Sequence, residues 1–289
     1  MDSLVQDVGA LRPIIHRTSG QTHGPITRLA SPGDLGKVLK PFVFVDLFDN
    51  GGREFRGFGL HPHSGIATLT YMAEGSTSYE DTNGARGLLT AGGVEWMRAG
   101  HGVWHGGGAG EPGLARGFQL WVALPPHLEL GPSVSLYQGS DDVPVAGPAR
   151  VLLGSHDGAS SAIESPAEIN YLAVRLASGE RWRYMPPAGH EVLWIAVGSG
   201  VVRTPDRIRR GELAIFTPGE AAVEFVAEAD TEFMLGSAVP HPHDLVLGYY
   251  SVHTSAEALA KGERRIREIR AELARQGRFD VRPSPPERS

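Results

Sequence analysis

The sequence predicts an all-β protein built from two antiparallel β-barrels and closed by a single C-terminal α-helix. Three observations carry this. Glycine and proline number 38 and 21 among 289 residues, which suits many short strands joined by tight turns. Two stretches repeat one texture of short apolar segments rich in Val, Ile, Leu and aromatics, each bounded by Gly, Pro, Asp or Ser. Only one stretch, near the C-terminus, carries helical periodicity.

The first stretch holds PFVFVDLF (41–48), ATLTYMAEG (67–75), GLLTAGGVEWM (87–97) and GFQLWVALP (117–125). The second holds NYLAVRLASG (170–179), EVLWIAVGSG (191–200), GELAIFTPG (211–219), AVEFVAEAD (222–230) and EFMLGS (232–237). Their length and spacing are those of strands in a sandwich or barrel. The turn-rich run between them sets the expected division, a first barrel over 1–140 and a second over 141–289. Within the second unit a helix is expected over 255–276. Thr254 and Glu257 have capping-box spacing, Leu259, Ile266, Ile269 and Leu273 follow the helical period, and Gly277 supplies a stop. Its arginines are interleaved with Glu263, Glu268 and Glu272, the pattern of a solvated face on a helix docked against the second barrel. The tail RPSPPERS reads as disordered.

Composition bounds the function. The apolar share is 41%, enough for a real core, and the net charge of −6 offers no basic field for direct nucleic-acid binding. Cysteine is absent, which excludes disulfides, thiolate metal sites and a cysteine nucleophile. No apolar run reaches the roughly 18 residues of a membrane span, and MDSLVQDVGALRP lacks a signal peptide's layout, so a soluble, cytoplasmic protein is expected. Neither a P-loop, nor a dinucleotide fingerprint after a strand, nor a G-x-S-x-G elbow occurs.

The chemistry lies in the histidines. HPHSG (61–65) has a near-copy in HPHDL (241–245), and either pair can chelate a metal, since residues i and i+2 of a strand face one way. The central proline favours an extended backbone in both. Context separates them. His61 and His63 enter a strand, and GHGVWH returns His105 on a later one, so three imidazoles can meet at one interior point. His241 and His243 follow the last strand in a turn-like segment and read as loop histidines, with His253 at the helix entrance.

GFGLHPHSG, TYMAEG, AGGVEWMRAG, GHGVWH and GFQLWVALP resemble the pirin family, a branch of the cupin superfamily, over roughly residues 10 to 275. KPFVFVDLFD resembles that family's early strand, and YLAVRL with PAGHEVLWIAVGSG its second barrel. The resemblance implies a bicupin: two cupin-type barrels, the first holding one metal, usually iron, and the second, where only His190 stands in the aligned region, holding none. Family members are described as quercetin 2,3-dioxygenase-like enzymes, as transcriptional co-regulators and as regulators of metabolic enzymes. The resemblance also implies a ligand set of an HxH pair, a later histidine and a glutamate two residues beyond it. His61, His63 and His105 match, but the glutamate position is Gly107, and a second cupin carboxylate position is Ala67.

Three neutral imidazoles still accept Fe(II), Ni(II), Zn(II) or Cu(II), with Fe(II) the first expectation and Mn(II) a further one. Without a carboxylate the site keeps the ion's full charge, binds it more weakly, and suits an anionic bidentate substrate such as a deprotonated flavonol or an enediol. Two residues are candidates to compensate: Glu95, at a position usually glutamine in pirins, and His101, as a nitrogen ligand or general base. Glu111 requires its loop to fold inward. Trp96, Met97, Trp104 and Phe118 read as barrel core or as walls of an aromatic pocket. Three functions follow: a mononuclear metal dioxygenase acting on a flavonol-like substrate, a regulator that binds a partner protein, and a degenerate cupin without metal.

Overall fold

A computed structural model describes residues 12–53, 57–108 and 110–278; the tail read as disordered lies outside them. The described residues form two barrels, each with one seven-stranded and one four-stranded antiparallel sheet. In the first half the large sheet runs, in spatial order, Val134–Gln138, Val94–Arg98, Ile66–Glu74, Arg116–Ala123, Phe42–Asp49, Ile26–Ala30 and Gln21–His23. The small sheet opposite it runs Phe58–His63, Val103–Gly107, Ser76–Asp81 and Arg86–Thr90. The second half repeats the plan, with Val192–Ser199, Thr231–Ala238 and Ile169–Leu176 at the centre of its large sheet. Both halves are therefore the barrels that the strand pattern predicts. No helix among the described residues is long and apolar enough to cross a membrane.

The alternation of side chains along each strand decides what fills each barrel. In the central strands of both large sheets, one set of residues faces the other half of the molecule. Leu69, Tyr71, Phe118, Leu120, Tyr171, Ala173, Trp194 and Met234 belong to one buried cluster shared by the two halves. The alternate set faces inward. In the second barrel that set is mostly hydrocarbon, with Leu172, Val174, Ile195, Val197, Phe216, Phe225 and Phe233 in a single cluster, and its buried polar groups Asn170, Tyr184, His190 and Ser237 are hydrogen-bonded to one another. In the first barrel it is broken into small clusters, such as Val43, Phe44, Ile66 and Trp121 at one place and Met97, Ala99 and Val103 at another. Between them stand Thr68, Thr70, Glu95, His63 and His105, all buried.

Two expectations need correction. The division at residue 140 assigns Ile14–Thr18 to the first barrel, yet this strand pairs with Leu213–Phe216 at the edge of the second barrel's large sheet. The helix, Ala256–Arg275, docks on the first barrel rather than the second. Its Ile269 and Leu273 pack on Trp104 and Leu60, and the Trp104 indole N–H donates to the Ile266 carbonyl at 2.8 Å. A helical stripe records that a helix has a buried face, but any apolar surface can receive it. The cap also sits one residue later than expected: Ser255 accepts from the Ala258 N–H, while Thr254 gives its N–H and hydroxyl to Glu129. Replacing Trp104 with alanine removes most of this contact and is expected to cost about 3–5 kcal/mol of stability, measured by denaturant unfolding.

Candidate metal centre

Strand Phe58–His63 carries the first two rings and strand Val103–Gly107 the third, and the two strands pair antiparallel with His61 opposite His105 and Val103 opposite His63. Because 61 and 63 share a face, all three imidazoles converge, with ligand atoms within 4.8 Å of one another. Ring centroids lie 5.0 Å apart for His61 and His63, 4.5 Å for His61 and His105, and 5.0 Å for His63 and His105. His63 and His105 are buried and His61 is half-buried. Among the described residues this is the one group of three or more such side chains placed to hold a metal.

The hydrogen bonds behind the rings fix which nitrogen faces the centre. The Nδ1 of His61 lies 2.8 Å from the Gly59 carbonyl, that of His63 3.1 Å from the Tyr250 carbonyl, and that of His105 2.9 Å from a Glu95 carboxylate oxygen. Carbonyl and ionised carboxylate oxygens only accept, so each Nδ1 carries the proton and donates. Each Nε2 is left with a lone pair, and that of His105 is buried without a partner. Orphaned buried nitrogens are rare, and three ligating nitrogens oriented from behind by oxygens are how metal-binding imidazoles are held. The residues therefore fit a divalent transition ion that takes nitrogen ligands.

Electrostatics agree. Burial, with repulsion from His105, pushes His61 down to about 3; burial, with repulsion from His61 and His105, holds His63 well below its ordinary value. Both stay neutral across the physiological range. Glu95 is held below the usual carboxylate range, although burial alone would raise it, because His105 and the Thr70 hydroxyl hold its charged form. A histidine forced to stay neutral when folded takes up a proton more readily when unfolded. The metal-free protein is therefore most stable above the free imidazole value of about 6.5, and loses stability as pH falls from there toward 3. Melting curves of metal-free protein between pH 7.5 and 5 test this (approximate limits around the free imidazole value). The loss with acid should shrink in His61→Asn.

The other candidates fall elsewhere. His101 is exposed in the turn before Val103, its backbone N–H given to the Gly131 carbonyl, and it does not join the three rings. The expectation of a ligand or base there is corrected, because the turn carries its side chain to solvent. Glu111 is exposed as well. His241 is buried and His243 exposed, their rings 5.4 Å apart on the segment after strand Thr231–Ala238. In the second barrel His190 gives its Nδ1 side to Ser237 at 2.9 Å. Trp96 and Phe118 lie in the cluster between the barrels, and Trp104 lies under the helix, so none of these three walls a pocket at the histidines.

A relative from Pseudomonas aeruginosa, named "Putative quercetin 2,3-dioxygenase PA3240", is 36% identical over 219 residues, which is 70% of this chain and 77% of that one. The pirin family model matches residues 25–122, the segment that supplies all three histidines. Rat pirin is 31% identical over 202 residues, 67% of each chain. The chain belongs to the pirin family. Among solved structures, quercetin 2,3-dioxygenase from Acinetobacter baumannii superposes with a TM-score of 0.77 at 24% identity, covering 94% of this chain and all of that one (100%). The bacterial pirin YhhW of Escherichia coli in complex with nickel(II) gives 0.61 at 21%, covering 80% and 99%. At these identities both show the shared fold.

In this pirin the two positions without carboxylates have structural accounts. A Cβ on Gly107 would stand 2.8 Å from the Ser78 carbonyl oxygen, so a side chain there would force the two strands apart. Ala67 belongs to the cluster between the barrels and not to the first barrel's interior, so its position is not part of this site. Four residues around the site were given no part in it by sequence reasoning. Tyr250 reaches the site from the far end of the chain, with its ring centroid 5.8 Å from His61. The Gln119 amide lies 2.8 Å from the Thr70 hydroxyl oxygen, whose one proton goes to Glu95, so the amide is the donor of that pair. Glu129 and His253 brace the segment that carries Tyr250, with 3.2 Å between them. A backbone acceptor such as the Tyr250 carbonyl leaves no mark in a sequence. Gln119 was signalled only by its place inside GFQLWVALP.

Proposed function

We propose that this pirin is a mononuclear metal protein with quercetin 2,3-dioxygenase-like activity, its ion held by His61, His63 and His105. The observation that carries the reading is the buried, partnerless Nε2 of His105, turned to the centre by the bond from its Nδ1 to Glu95. The contrast between the barrels supports it, since in the second barrel Asn170, Tyr184, His190 and Ser237 satisfy one another by hydrogen bonds, whereas in the first the Nε2 of His105 is left without a partner. That contrast argues against a degenerate barrel that has lost its metal. The name of the Pseudomonas relative and the nickel in the E. coli pirin supply the activity class and a precedent for the ion.

Fe(II) is the first choice, with Ni(II), Zn(II), Cu(II) and Mn(II) as other occupants. A redox-active ion there supplies the electron-transfer chemistry that a dioxygenase needs. Everything else falls to the chain. His61 and His63 are held neutral by burial, so these two bind without first losing a proton. Glu95 supplies a negative charge one hydrogen bond behind His105, which offsets part of the charge lost at position 107. Both Glu95 oxygens are engaged, one by His105 and one by Thr70, so Glu95 is a positioning residue rather than a free base. A substrate with two adjacent oxygens must then arrive already ionised, as a deprotonated flavonol or enediolate.

Metal analysis of protein purified without an affinity tag, followed by oxygen uptake with quercetin, tests the reading. Near-stoichiometric metal that disappears in His63→Ala, with uptake that disappears alongside it, is the expected result. Metal-dependent binding without oxygen uptake would leave the site and remove the activity.

A further inference from the structure

Tyr250 has a backbone φ of 53°, in the left-handed region where glycine or asparagine is at ease and a bulky aromatic is not. Such a conformation persists only where the surroundings impose it. Here they do. Ser251 forms a parallel bridge with Ser64, the residue after His63, and the Ser64 hydroxyl donates to the Ser251 hydroxyl at 2.9 Å. His253 Nε2 stands 3.0 Å from the Ser64 oxygen, and Thr254 is held by Glu129 through two bonds of 2.7 Å. Gly65 and Gly262 make room for this strap, since a Cβ on either would stand within 2.7 Å of the His253 ring.

We infer that Tyr250 is a specificity-determining residue, its ring setting the width of the approach to the three Nε2 atoms. The inference rests on the metal-site reading above. His63, His105 and Trp121 are buried, whereas His61 and Tyr250 are the half-buried residues of the group, so the side of the centre nearest solvent is the one these two occupy. The Tyr250 ring lies 5.8 Å from His61, 5.9 Å from His63 and 6.3 Å from Trp121, centre to centre. A ligand approaching here meets the phenol ring beside the imidazole, with 5.8 Å between the two ring centres. That selects flat, oxygen-bearing chelators of the catecholate or enediolate class and hinders bulky ones. The ring and the backbone have separate duties, because the carbonyl of the same residue holds His63. Tyr250→Gly therefore removes the obstruction, keeps the carbonyl and relieves the strained φ.

Two rates test this: carbethoxylation of His61 by diethyl pyrocarbonate in metal-free protein, followed by mass spectrometry, and removal of bound nickel by excess EDTA. Tyr250→Gly should raise both by about tenfold with no loss of melting temperature, while Tyr250→Phe leaves both unchanged. Tyr250→Asn, also at ease at positive φ, gives the same comparison should the glycine loosen the strap. A folded Tyr250→Gly or Tyr250→Asn protein whose His61 reacts no faster than wild type overturns the inference. If the metal reading is what fails, wild type takes up no nickel, and the His61 rate alone still decides the role of the ring.

Discussion

His105→Ala protein, titrated with nickel(II), is expected to bind no ion at concentrations that saturate the wild type. Losing a residue that only braces a ligand costs about 10- to 100-fold in affinity, so losing a ligand outright should exceed that range. The same substitution strips Glu95 of its principal partner, leaving a buried carboxylate with the Thr70 hydroxyl alone. The metal-free variant should therefore also be less stable than metal-free wild type by about 1–3 kcal/mol at neutral pH. Calorimetric metal titration and denaturant unfolding read the two effects separately. A variant that melts lower yet binds nickel as tightly as wild type would make His105 a structural residue and no ligand.

Glu95→Gln separates charge from shape. The amide oxygen can still accept from His105 Nδ1–H, so the ring keeps its orientation and the barrel its packing, while the negative charge behind the ring is gone. Metal affinity is expected to fall by about 10- to 100-fold, with the melting temperature of the metal-free protein little changed. Competition against a chromophoric chelator measures the shift. Equal affinities would mean that Glu95 acts by geometry alone and that the site tolerates the loss of the carboxylate at 107 without recovering its charge.

Much of this was legible in the chain because β-structure writes itself with period two. The alternation within ATLTYMAEG and GFQLWVALP places Leu69 and Phe118 on one face and Thr70 and Gln119 on the other. The same rule turns His61 and His63 together. The return of His105 was legible through the order of the strands, and Glu95 through its place on the strand before the GHG turn. What was not legible depends on elements distant in sequence. Ile14–Thr18 joins the second barrel because its backbone completes an open sheet edge, which any short strand can do. The helix lies on Trp104 because that indole was left uncovered by its own sheet, a fact of packing rather than of periodicity. The support of His63 comes from the Tyr250 carbonyl, whose identity as an acceptor does not depend on its side chain. His101 failed for the opposite reason: its spacing from His105 was suggestive, but a turn intervenes and sends the ring outward.

X-ray absorption at the metal edge of nickel- or iron-loaded protein tests the central claim most directly. One ion per chain with the multiple-scattering signature of imidazole ligands, absent from the variant carrying alanine at 61, 63 and 105, is the predicted result. An ion whose spectrum is the same in wild type and in that triple variant would place the metal elsewhere and contradict the account.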